Sequence, residues 1–235
     1  MSQNAPEAAR VPIVLLSGMA ADERLFGPQL AQFPGLRIQP WVEPRHGESL
    51  RNYAARMAQL IEPDTPCLIG GASFGGIVAL EVSVHLRTLG CVLIGSIRSP
   101  IELPLRWRML WPLTLLGPDW LAVFTRLASQ FGKRFLPGGT VRRLHRLSQP
   151  EAAFVRWAMC AVTQWRSRPA TRRVRVFQIH GANDRTLPVA LTRPDVVVPA
   201  GGHALTLFSA AAVNAFLSDV ARQVTPSQSV GPIEN

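Results

Sequence analysis

The sequence has few cysteines, and their spacing excludes two kinds of covalently or metal-stabilised protein. Only Cys67, Cys91 and Cys160 occur in 235 residues, and no two of them form a paired motif. Such a set argues against a disulfide framework and against a thiolate metal site. We therefore expect three reduced, mostly buried thiols, and the sequence indicates neither a metal ion nor another cofactor.

Long apolar runs are also scarce. The N-terminus has no basic start followed by an apolar stretch, so no signal peptide is predicted. The most apolar segment, residues 109–124, is interrupted by prolines, a glycine and an aspartate, and it is shorter than a bilayer requires. We expect no transmembrane segment and take the cytoplasm as the default location.

The charge of the chain is concentrated in one segment. The formal net charge is +10, but residues 99–175 carry 14 basic and three acidic residues, a balance of +11. One interpretation is a solvated, arginine-rich surface. The other is attraction of an acidic partner: a carboxylate or phosphate substrate, an acyl carrier protein, or an anionic membrane face in peripheral contact. Nucleic acid is not expected as a partner, because no recognition module is present.

Short apolar runs typical of buried strands alternate with helical patterns over most of the chain. Six strands are predicted, at residues 11–17, 36–42, 66–70, 91–96, 174–181 and 195–202. Gly90 is expected to separate the fourth strand from the helix before it. This alternation predicts an α/β fold, with a mostly parallel sheet covered by helices on both faces.

Two predicted helices have a clear apolar side. The first begins after Asp22 and is expected to bury Leu25, Phe26 and Leu30. The second spans residues 47–62, and its expected buried residues are Leu50, Tyr53, Ala54, Met57, Leu60 and Ile61.

The alternation of strands and helices stops between residues 99 and 172, where three or four short helices are predicted. We expect residues 1–98 and 173–222 to form the core, residues 99–172 a helical cap, and residues 223–235 a flexible tail. Ligands of parallel sheets bind at the carboxyl ends of the strands. Because the insertion follows the fourth strand, the cap would cover that same edge.

The stretch "LIGGASFGGIVALE", residues 68–81, places one serine between a predicted strand and a predicted helix. Gly71, Ser73 and Gly75 match the G-x-S-x-G pattern of a nucleophile elbow, in which a sharp turn exposes the serine hydroxyl. An oxyanion formed beside Ser73 is expected to bind two backbone N–H groups. These belong to Phe74 and to Met19, in the loop after the first strand.

A serine hydroxyl needs a base to take its proton, and His203 is the best placed of the five histidines. It lies on a glycine-rich loop between the sixth strand and the last helix, from where it reaches Ser73 across the carboxyl edge. The other histidines are interpreted as loop, surface or structural residues: His46, His85, His145 and His180.

The base in turn needs an orienting acid. Asp184 follows the fifth strand at the same edge and is the predicted acid, with a turn or helix-capping role as the alternative. Asp195 begins a strand and is expected at the opposite edge. No acidic residue follows the fourth strand directly.

These motifs resemble those of the α/β-hydrolase fold superfamily, and the resemblance covers nearly all of residues 11–222. It rests on residues 71–76 (GASFGG), on Asp184 in HGANDRTLP and on His203 in GGHALTL. It implies that Ser73, Asp184 and His203 are nucleophile, acid and base, in the chain order of this fold. The sequence departs from the pattern at Ser17, where the family often has histidine, and it lacks two leading strands of larger members. Both departures indicate a compact member.

The predicted function is hydrolysis of a carboxylic ester or thioester by a Ser-His-Asp acyl-enzyme mechanism. The substrate would be a small molecule, either free and acidic or bound to a carrier protein. Ser73 disfavours haloalkane dehalogenases, which have aspartate at that position, and Lys133 is the only lysine that could act as in the hydroxynitrile lyases of this fold. The alternatives are a carbon–carbon-bond hydrolase or lyase on the same fold, and a non-catalytic binding protein on a hydrolase scaffold.

Overall fold

The computed structural model describes residues 11–19, 21–61, 65–109 and 152–225, and these contain a six-stranded parallel sheet. The strands are arranged in the order β2-β1-β3-β4-β5-β6. Their bounds are β1 Ile13–Leu16, β2 Leu36–Ile38, β3 Cys67–Ala72, β4 Thr88–Ile94, β5 Val176–Gly181 and β6 Val196–Val198. Each overlaps a predicted strand, and the predicted α/β fold is confirmed.

Helices cover both faces of this sheet. The described α-helices are α1 Gly27–Gln32, α2 Leu50–Ile61, α3 Phe74–Val82, α4 Leu105–Arg108, α5 Ala152–Thr163, α6 Pro169–Arg172, α7 Leu205–Phe208 and α8 Ala210–Val224. Alternate residues of β1 face two apolar cores, as the period of a strand requires. Val14 and Leu16 pack with α2, α3 and α5, whereas Ile13 and Leu15 pack with α8 and the 3₁₀ turn before α1.

The predicted apolar faces are largely correct, but two leucines are misplaced. Leu30 on α1 is 38% exposed, because the helix turns Gln29 inward, where its amide donates to Asn214 Oδ1 (2.9 Å) on α8. Leu60 on α2 is 53% exposed, because Ala58 and Ile61 fill the buried face there. A polar contact between two helices therefore decides which side of α1 is buried.

Gly90 does not separate α3 from the fourth strand, as expected, but lies within β4. A Cβ at this position would come 2.8 Å from the Phe177 ring on the neighbouring strand. The glycine therefore makes room for an aromatic side chain across the sheet.

The described part of the predicted cap is helical, in α4, α5, α6 and a 3₁₀ turn at Pro100–Glu102. The chain after α5 contacts α3 through hydrogen bonds to the buried Glu81. The Trp165 Nε1–H donates to Glu81 Oε1 (2.8 Å), and Arg168 Nη2 donates to Glu81 Oε2 (2.5 Å). Residues 110–151, with His145 and Lys133, lie outside the described residues, as do residues 226–235 of the predicted tail. The division into core, cap and tail stays a prediction.

Three further findings concern the described ranges. None of their helices is both long and apolar enough to cross a membrane. No group of three or more potential metal ligands occurs among their side chains. Cys67, Cys91 and Cys160 are free thiols, the first two buried and the third partly exposed.

Candidate active site

The candidate site lies where strands end at the carboxyl edge of the sheet. Ser73 follows β3, Asp184 follows β5 and His203 follows β6. Although they are far apart in the sequence, His203 Nε2 lies 2.9 Å from Ser73 Oγ, and His203 Nδ1 lies 2.7 Å from Asp184 Oδ2. The fold thus brings the three residues into one chain of hydrogen bonds.

The turn at Ser73 has an unusual backbone. Its φ of +53° makes it the only non-glycine residue with a positive φ in the described part of the chain. Such a conformation costs about 1–3 kcal/mol and persists only where the surroundings enforce it. Here Ser96 Oγ donates to the Ser73 carbonyl oxygen (2.6 Å) from the end of β4, which helps to hold the turn.

Gly71 and Gly75 let β1 approach this turn closely. A Cβ on Gly71 would lie 2.6 Å from the carbonyl oxygen of Leu16, and one on Gly75 would lie 2.2 Å from that of Ser17. Both obstacles are backbone atoms, which cannot rotate away. The packing of β1 against the strand-to-helix turn therefore requires glycine at both positions.

The loop after β1 lies beside the serine. Gly18 is near enough that a Cβ on it would lie 3.9 Å from the Ser73 Cβ. The neighbouring Met19 packs with Phe74 in the same apolar cluster. Outside the helices and strands, the described part of the chain has no backbone hydrogen bond donated by the N–H of Met19 or Phe74. Phe74 is the first residue of α3, and the first N–H groups of a helix have no acceptor within the helix.

Asp184 is held by donors on both oxygens. Its Oδ1 accepts the N–H groups of Thr186 (2.8 Å) and Leu187 (2.9 Å), and its Oδ2 accepts Nδ1–H of His203. Burial alone would raise the pKa of this carboxyl, but the hydrogen bonds from His180 and His203 hold its pKa well below its usual range. Asp184 is therefore ionised at neutral pH, which keeps the Nδ1 proton on its side of the His203 ring.

Two residues beside this pair are not part of the predicted site. Gly95, with a φ of +54°, directly follows β4 and lies so close to the pair that a Cβ would be 3.2 Å from the His203 carbonyl oxygen and 3.7 Å from Asp184 Oδ2. His180 is buried on β5, with its Nε2 3.3 Å from the same Oδ2. The only sequence signal for Gly95 was a glycine near the end of a predicted strand. The only signal for His180 was a polar residue within an apolar strand.

Asp195 occupies a different place from the one predicted. It lies beside the middle of β5, where its Oδ2 accepts the Gln178 N–H (2.6 Å) and Arg98 Nη2 (3.0 Å). Because β5 and β6 are in parallel register with Ile179 opposite Val196, the residue before β6 falls next to Gln178 rather than at the far edge. Asp184 is the acid that contacts His203.

A cavity of about 1490 Å³ opens next to the loop after β1. It is lined at that loop by Ser17 and Met19, while Ser73, Asp184 and His203 are not among its lining residues. Four aromatic side chains line it: Trp41, Phe154, Trp157 and Trp165. Its lining also carries charges of both signs: six arginines (Arg24, Arg45, Arg51, Arg156, Arg166 and Arg168) and five carboxylates (Asp22, Glu23, Glu43, Glu48 and Glu81). His46 also lines it, and no hydrogen bond of the described residues joins His46 to Ser73.

The aromatic residues connect the cavity to the serine turn. The Phe74 ring, directly after Ser73, lies 5.6 Å from the Trp41 ring and 6.0 Å from the Trp157 ring. The indole N–H of Trp157 donates to the Glu48 carbonyl oxygen (2.7 Å) and that of Trp41 to the Gly18 carbonyl oxygen (3.4 Å). With their polar edges bonded to backbone, the rings present apolar surface.

A parallel sheet with a serine on a strained strand-to-helix turn defines the α/β-hydrolase class of folds. Residues 9–216 match the model of the alpha/beta hydrolase family, and the chain belongs to this family. The resemblance inferred from residues 71–76, Asp184 and His203 is confirmed at this level.

Solved structures with the same fold include several hydrolases. An esterase from Thermogutta terrifontis has a TM-score of 0.64 at 18% identity, over 91% of this chain and 90% of its own. The enol-lactonase from Burkholderia xenovorans LB400 has a TM-score of 0.64 at 16% identity, over 91% and 92%. MenH from S. aureus has a TM-score of 0.64 at 14% identity, over 95% and 97%. At these identities the likeness establishes the fold alone. No curated protein sequence is significantly similar to this chain.

Proposed function

We propose that this protein is a serine hydrolase that cleaves a carboxylic ester or thioester through an acyl-enzyme, with Ser73, His203 and Asp184 as its catalytic triad. One observation carries the proposal: the continuous path from Ser73 Oγ to His203 Nε2 (2.9 Å) and from His203 Nδ1 to Asp184 Oδ2 (2.7 Å). These distances are within the range expected for a nucleophile, its base and the group that orients the base.

Acylation begins when Ser73 Oγ attacks the acyl carbon and its proton passes to His203 Nε2. The carbonyl electron pair moves onto the oxygen, and the N–H groups of Met19 and Phe74 bind the resulting oxyanion. Removing one donor of this kind typically costs about 10²–10³-fold in kcat. The intermediate collapses, the bond to the leaving group breaks, and His203 protonates the departing alcohol or thiol.

Deacylation repeats these steps with water. His203 takes a proton from a water molecule, the hydroxide attacks the acyl carbon, and the carboxylic acid leaves as the proton returns to Ser73 Oγ. Asp184 remains ionised throughout and stabilises the imidazolium form of His203 in each half of the cycle. The reaction consumes one water and needs no metal ion or cofactor.

The cavity beside the loop after β1 supports a small-molecule substrate. Its aromatic wall would bind an apolar acyl or alcohol group. We propose that residues 99–172 form the cap over this site, since the described part of that segment contributes Phe154 and Trp157 to the wall.

The test is covalent labelling of the wild-type protein with a fluorophosphonate probe, followed by peptide mass spectrometry. We expect one label, on Ser73, together with turnover of p-nitrophenyl acetate and of a matched acetyl thioester. Turnover of the thioester alone would restrict the substrate class to thioesters. A protein that neither labels nor turns over these substrates, but retains a small ligand, would instead be a binding protein on this scaffold.

Replacing Asp184 with asparagine is expected to lower kcat by about 10⁴-fold, with little change in KM. The amide can present an N–H to His203, which would favour the tautomer whose Nε2 carries the proton and cannot accept one from Ser73. The measurement is steady-state hydrolysis of p-nitrophenyl acetate.

A matched Asp→Asn change serves as the control. Asp219 on α8 is exposed and, among the described residues, forms an ion pair with Arg222 one helical turn away. Asp219→Asn is therefore expected to leave both parameters within about twofold of wild type. Equal activity of the two variants would remove Asp184 from the mechanism.

A further inference from the structure

His180 lies against the candidate acid in a position that its surroundings define closely. Its ring is fully buried, and Nε2 lies 2.7 Å from the Leu187 carbonyl oxygen and 3.3 Å from Asp184 Oδ2. Because a carbonyl oxygen only accepts hydrogen bonds, Nε2 must carry a proton. The hydrogen bond to Leu187 is the shorter contact, and Asp184 Oδ2 is the second oxygen beside the same Nε2–H.

The other ring nitrogen indicates that His180 is neutral. Its Nδ1 is buried and has no hydrogen-bond partner among the described residues. A bare lone pair is tolerated there at modest cost, whereas a second N–H, with its positive charge, would be buried without an acceptor. The titratable groups around this ring are Asp184, Glu102 on the 3₁₀ turn after β4, and His203 beyond Asp184.

We propose that His180 is a positioning residue for the reaction: its neutral ring shares the Nε2 proton between Leu187 and Asp184 Oδ2, which aligns the carboxylate with His203 and moderates its negative charge. This inference rests on the proposed function and assigns a role to a residue outside the catalytic triad. Asp184 Oδ1 accepts the N–H groups of Thr186 and Leu187, and Oδ2 lies 2.7 Å from His203 Nδ1 and 3.3 Å from His180 Nε2.

The consequence concerns the charge felt by His203. A donor on Oδ2 withdraws part of the carboxylate charge, so its removal makes Asp184 a stronger partner for the protonated His203 ring. Without the His180 donor, His203 would therefore stay protonated to a higher pH than in the wild-type protein. A residue with a purely structural role would change stability or the overall rate, but it would leave the pH at which His203 loses its proton unchanged.

The test compares two substitutions in the full-length protein. His180→Leu removes the donor, and His180→Gln keeps an N–H near the position of Nε2. For p-nitrophenyl acetate, we expect His180→Leu to lower kcat by about tenfold with KM unchanged, and to move the acid limb of the kcat/KM profile upward by about half a pH unit. We expect His180→Gln to restore the limb to its wild-type position. If the acid limb of the kcat/KM profile of His180→Leu stays at the wild-type pH, the proposal is wrong.

Two further measurements keep the result independent of activity and of variant folding. The first is an NMR titration of the ¹³C-labelled His203 ring, which is expected to show the same upward movement in His180→Leu. The second uses the wild-type protein alone, where ¹⁵N shifts at the pH of the activity assay should identify His180 as the neutral Nε2–H tautomer. A charged ring or the Nδ1–H tautomer would contradict the proposal. Absence of wild-type hydrolysis would refute the proposed function but leave both NMR outcomes decisive for His180.

Discussion

Replacing Ser73 with alanine is expected to lower kcat/KM for p-nitrophenyl acetate by about 10⁴-fold or more, and to abolish fluorophosphonate labelling. The Ser73 hydroxyl oxygen lies 2.9 Å from His203 Nε2, and alanine offers no atom that can form the acyl-enzyme. Activity is measured at several enzyme concentrations, so that trace contamination by another esterase is recognised.

Stability is the second readout for the Ser73→Ala variant. Alanine at a φ of +53° is strained to a similar degree as serine, and no helix-capping hydrogen bond is lost, because the Ser73 side chain makes none. We therefore expect a free energy of unfolding within about 1 kcal/mol of wild type. Loss of activity would then report chemistry rather than folding.

Ser83 provides the matched control for this experiment. It is a buried serine at the end of α3, and its hydroxyl donates to the Leu80 carbonyl oxygen (2.7 Å), away from His203. We expect Ser83→Ala to label with fluorophosphonate and to retain activity within about threefold, with a loss of about 1 kcal/mol in stability. A Ser73→Ala variant as active as Ser83→Ala would disprove the acyl-enzyme mechanism.

Replacing Gly75 with alanine is expected to destabilise the fold by about 3 kcal/mol, which corresponds to a fall in Tm of about 6–12 °C for a chain of this size. The new methyl group would lie 2.2 Å from the Ser17 carbonyl oxygen and 2.3 Å from that of Leu16. These atoms belong to β1 and the loop after it, so relief requires the strand to move away from α3. Thermal unfolding followed by circular dichroism measures the effect.

The control for Gly75→Ala is the same change at Gly27, the first residue of α1. A Cβ there would meet no atom within 4 Å, and the backbone is already helical, with a φ of −48°. Alanine favours the helix and reduces the freedom of the unfolded chain, so we expect a gain of about 0.5–1 kcal/mol. The two Gly→Ala changes are thus predicted to have opposite signs. Destabilisation of similar size at both would show that the close approach of β1 is not the cause.

Much of the fold follows from local patterns. All six strands and the helices between them are visible as apolar runs with the periods of strands and helices, because each element must bury one or both of its faces. The ends of the elements are less well predicted. The second strand was expected at residues 36–42 but ends at Ile38. The Gln39 N–H still donates to the Leu15 carbonyl oxygen (2.9 Å) on β1, whereas the Val42 N–H donates to the Tyr53 hydroxyl (3.2 Å) on α2, so the chain leaves the sheet between these residues.

The residues of the candidate site also differ in how well the sequence predicts them. Ser73 carries a local signal, because the glycines around it and its place between strand and helix are readable from one short stretch. Asp184 and His203 could be proposed because each follows a strand, and parallel strands end at a common edge. The position of Asp195 could not be predicted in this way. It depends on the register of β6 against β5, which is set by backbone pairing and leaves no pattern in the sequence.

By itself, the sequence determined the order of strands and helices, the glycine-flanked serine and the short list of residues that could act with it. These depend on chain-local properties: hydrophobic period, turn-forming residues and the position of polar groups at strand ends. Only the tertiary structure decided that Gly95 must lack a side chain beside Asp184 and His203, that Gln29 rather than Leu30 faces inward, and that the ring of His180 touches the acid. Each is a contact between chain segments, and its geometry is set by packing within a few tenths of an ångström, which no residue pattern specifies.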